Sequence, residues 1–225
     1  MPFLQKNCNG CILHIPNKKN MKIILMADIV ESSKKESGQL LTDFKKVVEQ
    51  INDTYKKHIV SPLTITLGDE FQGIINQAES ALQIIFSLEE ELLKLKKPFK
   101  LRYVLVEGKI DTPLNKKSAH AMLGPGLTEA RAILVSMKNS KSRFVIKLRD
   151  AAISEKITLA LHVLQGITDQ WTPPQMKIAH SFLEYGDYKK VASKLRKDAS
   201  AIWRRKNSLL IDEYTSLKTL IFQLI

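Results

Sequence analysis

Three acidic side chains stand where carboxylates are costly to place, and they set the first functional question. Asp28 is the one charge after Lys22 in the apolar run 22–30, Lys-Ile-Ile-Leu-Met-Ala-Asp-Ile-Val. Asp69 and Glu70 follow Gly68 at the tip of a hairpin read over 63–75. There Leu63, Ile65 and Leu67 alternate with Thr64 and Thr66, the period-2 signal of a half-buried strand. Gly68-Asp69 supplies the turn, because Gly tolerates positive φ and Asp tolerates turn geometry. An unpaired carboxylate inside an apolar strand is expensive. If the strand ending at Asp28 lies beside the hairpin, Asp28, Asp69 and Glu70 converge on a hard-oxygen site suited to Mg²⁺ or Mn²⁺. Val30, Glu31, Ser32 and Ser33 after the strand, with Gly68 at the tip, would then offer backbone N–H groups to phosphate oxygens of a nucleotide. The alternative is structural: Asp28 caps the next helix and Asp69 is a turn residue only.

A second chemistry is carried by cations. The chain has 225 residues, with 35 Lys and Arg against 23 Asp and Glu, a formal charge of +12. Such an excess points to a polyanionic partner, although a basic solvated surface gives the same count. Near the C-terminus the cations are patterned. Val191, Ala192 and Leu195 face inward on one short helix, Asp198 N-caps the next, and Ile202 points to the core. Ser200, Trp203, Arg204, Arg205 and Lys206, with Lys189 and Lys190, are left for an outer face. On a helix entering the DNA major groove, Ser200 and Arg204 would lie near base edges, and Lys189, Lys190, Arg205 and Lys206 near phosphates. Arg196-Lys197 occupies the turn where a tight Gly is expected. The alternative is a small helical bundle serving as a lid or a dimer interface.

The elements that must position these groups follow from periodicity. The run 22–30 is apolar on both faces, as in a central strand. A helix over 39–57 carries the stripe Leu40, Leu41, Phe44, Val47, Val48 and Ile51. The hairpin comes next, then a helix over 77–96 with Ala81, Leu82, Ile85, Leu88 and Leu92 inward. A strand over 99–108, a polar loop over 109–121, a helix over 127–137 and an edge strand over 142–148 complete this part. The order gives an α/β (α+β) ferredoxin-like plait, β-α-β-β-α-β with additions. After it no strand is expected: a helix over 150–165, then Thr172-Pro173-Pro174 opening a new helical unit. The expected division is an N-terminal extension over 1–20, read as disordered, an α/β domain over 21–150, a connecting helix and linker over 151–171, and an all-α domain over 172–225. A last helix from Ser208 to Ile225 shows Leu210, Tyr214, Leu217, Ile221 and Leu224 at a/d-like spacing; it either dimerises the chain or covers residues 150–165, and a homodimer is expected.

Other classes are excluded. No run of about 18 apolar residues is present, so no membrane span is expected. The two cysteines, Cys8 and Cys11, form one Cys-x-x-Cys, too few for a disulfide scaffold; with only His14 nearby, they lack the ligands of a zinc knuckle.

In order along the chain, Asp28-Ile29-Val30-Glu31-Ser32, Gly68-Asp69, Arg102-Tyr103-Val104 to Gly108-Lys109-Ile110, and Gly124 to Arg131 resemble the segments of class III nucleotide cyclases over 22–148. Gly68-Asp69-Glu70-Phe71-Gln72-Gly73, Gly124-Pro125-Gly126 with Ala130-Arg131, and the basic tail together make the whole chain resemble the SatD family, cyclase-like bacterial proteins with a C-terminal helix-turn-helix. The resemblance implies a cytoplasmic regulatory protein with DNA as partner. It implies two metal ions held by Asp28 and Asp69, one activating a ribose hydroxyl and the other steadying a triphosphate. The departures weigh against turnover. Ile65 stands where similar cyclases place an adenine-reading Lys, Thr128 stands where they place an Asn, and Arg131 falls one residue early for the catalytic Arg. Losing one group that stabilises transition-state charge typically costs about 10²–10³ in rate. The expectation is a degenerate cyclase-like domain that binds metal and nucleotide, with an active metal-dependent cyclase or phosphoryl-transfer enzyme as the alternative.

Overall fold

The structure, a computed structural model, describes residues 21–31 and 37–225. The Cys8/Cys11 pair and the phosphate-binding expectation for Ser32 and Ser33 lie outside these residues. The elements are β1 (Met21–Ile29), α1 (Ser37–Thr54), β2 (Ile59–Ile65), β3 (Glu70–Ile75), α2 (Ala78–Leu92), β4 (Leu101–Lys109), α3 (Pro125–Ser136), a 3₁₀ turn (Met137–Asn139), β5 (Phe144–Lys147), α4 (Ala151–Thr168), α5 (Pro173–Tyr185), α6 (Tyr188–Leu195), α7 (Ala199–Ser208) and α8 (Ile211–Gln223).

The fold is α/β around a mixed five-stranded sheet in the order β2-β3-β1-β4-β5. β1 runs antiparallel to both neighbours, β2 and β3 form the expected antiparallel hairpin, and β5 joins β4 in parallel at the far edge. The first four strands with α1 and α2 have the β-α-β-β-α-β connectivity read from the sequence. β1 is central because both of its faces are apolar. Ile23, Leu25, Ala27 and Ile29 enter one core and Ile24 and Met26 the other. Phe44, Val47, Val48 and Ile51 of α1 and the apolar stripe of α2 cover the first face. Leu127, Ala130 and Leu134 of α3, with Ile110, Ala119 and Met122 from the preceding loop, cover the second. The close seat of α3 on β4 requires glycine. A Cβ on Gly108 would come within 2.5 Å of Gly126 Cα, and one on Gly126 within 2.7 Å of the Gly108 backbone.

Several boundaries differ from the sequence reading for local reasons. The hairpin strand ends at Ile65, not Leu67, and residues 66–69 form the loop, closed by Thr66 N–H donating to the Glu70 carbonyl at 2.9 Å. Leu67 is 69% exposed, and Gly68 supplies the left-handed turn with φ of 84°. Leu41 lies at the edge of the α1 stripe and is exposed. The last helix begins only at Ile211, because Leu210 adopts φ 54°, a left-handed break after α7. Leu210 is therefore outside the helix and exposed, while Tyr214 and Ile221 face inward.

The C-terminal helices pack onto the α2 side of the sheet. Tyr214 and Phe222 of α8 meet Phe86 of α2, Trp171 stacks near Tyr214, and its indole N–H donates to the Leu209 carbonyl. Thr172 opens α5 with Pro at the first helical positions, as the sequence implies, and adds a capping box to Gln175. Asp198 caps α7 by accepting from Ala201 N–H. Between α6 and α7, Arg196 takes the left-handed conformation, φ 52° and ψ 49°, where glycine is usual. That conformation costs a non-glycine residue about 1 kcal/mol. Arg196→Gly is expected to raise stability by up to about 1 kcal/mol in urea denaturation, with an unchanged m-value. A loss of stability would mean that the arginine side chain makes up the difference.

Candidate functional site

The hairpin tip and the end of β1 do meet. Asp28 lies opposite Glu70 on β3 and opposite Arg102 on β4, and Ile29 N–H donates to the Asp69 carbonyl at 2.9 Å. Strand alternation turns Asp28, Glu70 and Arg102 to the face that carries Ile24, Met26 and α3. The structure therefore brings together Asp28, Asp69, Glu70 and Arg131. It also adds a residue to which the sequence reading gave no role, Arg102.

The pairing decides the chemistry of this cluster. Asp28 is 3% exposed, and both of its carboxylate oxygens accept from Arg102: Nε to Oδ1 at 2.8 Å and Nη2 to Oδ2 at 2.9 Å. Glu70 is paired in the same manner with Arg131 of α3, Nη2 to Oε1 at 2.5 Å and Nη1 to Oε2 at 3.2 Å, and Thr66 Oγ1 also donates to it. Across the sheet the charges run Arg131, Glu70, Asp28, Arg102, with each carboxylate neutralised by a two-pronged guanidinium. Burial pushes the Asp28 carboxyl above the usual aspartate range, although the Arg102 hydrogen bonds and charge pull it back, and Lys138 adds to that pull. The cation that this buried carboxylate needs is thus a guanidinium of the chain itself.

This arrangement does not fit a two-metal centre. A hard divalent ion takes six or more oxygen ligands. Here the Asp28 and Glu70 oxygens already accept from arginine, and among the described residues no three His, Cys, Asp or Glu side chains gather into a cation site. The expected phosphate-binding residues are also divided. Gly68 is at the exposed hairpin tip, while Val30 and Glu31 line a cavity of about 660 Å³ on the β4–β5 side, with Arg102 on its wall. Glu31 turns the chain there with φ of 57°.

At the other end of the chain, the expected outer face of α6 and α7 is exposed at Lys189, Lys190, Ser200, Arg204 and Arg205, and Trp203 is 51% exposed. Val191, Ala192 and Ile202 are buried beneath them. Lys206 departs from the expectation: it is half-buried and paired with Asp212 at 2.6 Å, so its charge is engaged within the chain. No helix among the described residues is long and apolar enough to cross a membrane.

The Asp28–Arg102 pair has a measurable signature. Removing one partner leaves the other buried and uncompensated, at a typical cost of about 3–5 kcal/mol, whereas replacing both by apolar residues is often neutral. Arg102→Met is expected to destabilise by about that amount in urea. Adding Asp28→Leu to it is expected to recover most of the loss. Additive losses in the double variant would show that the two groups are not coupled.

Comparison with known proteins follows this geometry. No curated protein matches the chain in sequence. Solved structures with a similar arrangement include a bacterial light-regulated adenylyl cyclase (16% identity, 56% of this chain and 75% of that one, TM-score 0.45). A guanylyl cyclase domain from the aquatic fungus Blastocladiella emersonii (14% identity, 56% and 80%, TM-score 0.43) and an adenylyl cyclase from P. aeruginosa (13%, 56% and 76%, TM-score 0.40) are also among them. At such identities, and with TM-scores below 0.5, these likenesses decide nothing about this chain's activity. A family model matches nearly the whole described chain, residues 22–225, and by that match the chain belongs to the SatD family.

Proposed function

We propose that this SatD family protein is a DNA-binding regulator, in which α5–α7 act as a helix-turn-helix and the cyclase-like sheet domain binds an anionic ligand without turning it over. The observation that carries the reading is the α6–α7 pair. Two short helices joined by residues 196–198 bury Val191, Ala192 and Ile202 on one side. They leave Lys189, Lys190, Ser200, Trp203, Arg204 and Arg205 exposed on the other. Four of those six side chains are cationic, the composition that phosphate contacts require. On this reading Arg204, one turn along α7 from Ser200, would reach base edges, and Lys189 and Lys190 at the start of α6 would hold backbone phosphates. Lys206 takes part only if it leaves Asp212. A homodimer would give paired half-sites, and a cytoplasmic location fits a DNA partner.

The second reading is a metal-dependent nucleotidyl cyclase or related phosphoryl-transfer enzyme using Mg²⁺ or Mn²⁺, with Arg131 steadying transition-state charge. It is favoured by one observation, the docking of the Asp69 loop onto the end of β1 beside Asp28. To work, it must free both carboxylates from Arg102 and Arg131.

The two readings are separable. Binding to a duplex selected from a random pool by the wild-type protein, followed by fluorescence anisotropy over a range of salt, tests the first. Lys189→Ala is expected to weaken all duplexes alike and to lower the slope of log K against log salt by about 0.9. Arg204→Ala is expected to cost about 1–3 kcal/mol on the selected duplex and less on others. Absence of salt-dependent binding by the wild type would sink the DNA reading and leave the helical tail as a lid or dimer interface. Incubation with each nucleoside triphosphate and Mn²⁺ tests the second. No cyclic product is expected; product that disappears with Asp28→Ala would overturn the non-catalytic assignment.

A further inference from the structure

The cavity of about 660 Å³ at the end of β1 has a far wall made by the C-terminal helices: Asp169 follows α4 and Met176 lies on α5. Its lining holds five cationic side chains, Lys100, Arg102, Lys138, Lys141 and Arg143, against two acids, Glu31 and Asp169. Three of the cations are already engaged. Arg102 holds Asp28, Arg143 holds Glu89 at 2.9 Å, and Lys100 holds Asp169 at 3.0 Å. Lys138 and Lys141 form no salt bridge with any described residue. They stand three positions apart on one rim, both exposed, and Lys138 is near enough to feel the Asp28 charge.

The rim is held in place by its neighbours rather than left to solvent. Gln165 of α4, 7% exposed, grips the segment by both amide atoms: its Oε1 accepts from Arg143 N–H at 2.8 Å, and its Nε2 donates to the Lys141 carbonyl at 2.8 Å. Arg143, itself buried, also donates to the Leu101 carbonyl, and the Glu89 and Asp169 charges hold its guanidinium in the protonated form. Ser140 Oγ accepts from Ser142 N–H, which leaves its hydroxyl proton to donate. Pro98 and Met176 supply apolar surface beside these charges. A loop held by Gln165, with two ammonium groups that form no salt bridge and a hydroxyl, at the mouth of a cavity in the usual size range for small-molecule sites, suits a compact multivalent anion with an organic body.

We propose that this junction cavity is a binding site for a small phosphomonoester, its phosphate held by Lys138 and Lys141 and its body lying between the sheet and α4–α5. The site does not use the hairpin tip, and Arg102 stays with Asp28. Binding would fix the 138–142 rim against the helices that lead into α6 and α7. That regulatory consequence rests on the DNA reading above, whereas the binding itself does not.

AMP serves as a phosphomonoester of fitting size, with adenosine as the uncharged control, both titrated calorimetrically into the full chain without DNA at constant ionic strength. Saturable AMP binding is expected, with none for adenosine. Each charge-assisted contact is worth about tenfold in affinity, so Lys138→Ala with Lys141→Ala is expected to weaken AMP by tenfold or more. The exposed pair Lys56 and Lys57 lies at the opposite end of the sheet, and its double alanine variant is expected to bind as the wild type does. Arg204→Ala is expected to keep AMP binding intact, so that loss of DNA affinity and loss of the anion site are read independently. No saturable binding, adenosine binding as well as AMP, or an equal loss in the two lysine pairs would each overturn the site.

Discussion

A carboxylate buried at the end of the central strand constrains everything around it. Asp28 sits on β1 with apolar side chains on both faces of the strand behind it, where an isolated charge is not tolerated. The antiparallel register places Arg102 of β4 directly opposite, and Glu70 of β3 on the other side. Two adjacent acids would repel, so a second guanidinium is needed, and α3 brings Arg131 to Glu70. The close contact of Gly108 with Gly126 seats α3 near enough to β4 for this to happen. One buried charge therefore ties together strand register, glycine placement and the position of a helix.

The same row explains what could and could not be read in advance. β1, the hairpin, the α2 stripe, the helix start at Thr172-Pro173 and the cap at Asp198 are local signals of period or spacing, and the structure contains each of them. The cluster of Asp28 with Asp69 and Glu70 was also legible, because it follows from topology alone. The arginines were not. Arg102 is 74 positions from Asp28, and Arg131 is 61 from Glu70. Their pairing depends on the exact register of β4 and the rotation of α3, which periodicity does not carry. One signal was available: Arg102 interrupts an apolar strand at the same depth as Asp28, and two opposite charges in adjacent central strands are economical only as partners. Leu67 and Leu210 were misplaced for a different reason. Both are apolar residues in phase with their neighbours, but the backbone turns at 68 and at 210 and takes them out of phase.

Charge is organised differently in the two halves. In the sheet domain the buried cations are matched, Arg102 with Asp28 and Arg143 with Glu89, and the half-exposed Arg131 pairs with Glu70. Such pairs, being desolvated, fix geometry more than they add stability. Exposed cations without a salt bridge include Lys138 and Lys141 at the rim, the outer face of α6–α7, and scattered lysines such as Lys56, Lys57, Lys116 and Lys117. Because matched groups neutralise one another, the fields available to an outside anion come from such surface groups.

Arg143 shows how these regions are connected. Its guanidinium reaches Glu89 of α2, the Leu101 carbonyl of β4 and, at 3.3 Å, the Asp169 carboxylate after α4. Its backbone N–H is held by Gln165 of α4. A single side chain therefore joins the first core face, the sheet and the helix that leads to the tail, and it does so directly beneath the 138–142 rim. A change in charge at that rim is felt by Arg143 through a low-dielectric neighbourhood, where interactions are screened less than at the surface. Asp169 is the softest member of this network, since it also pairs with the half-exposed Lys100 and accepts from Gln165. Displacement at the rim would first redistribute the hydrogen bonds of Asp169, at the very point where α4 ends and the chain turns toward Thr172 and α5. Any coupling between the sheet domain and the helical tail would run through this buried arginine and its contacts.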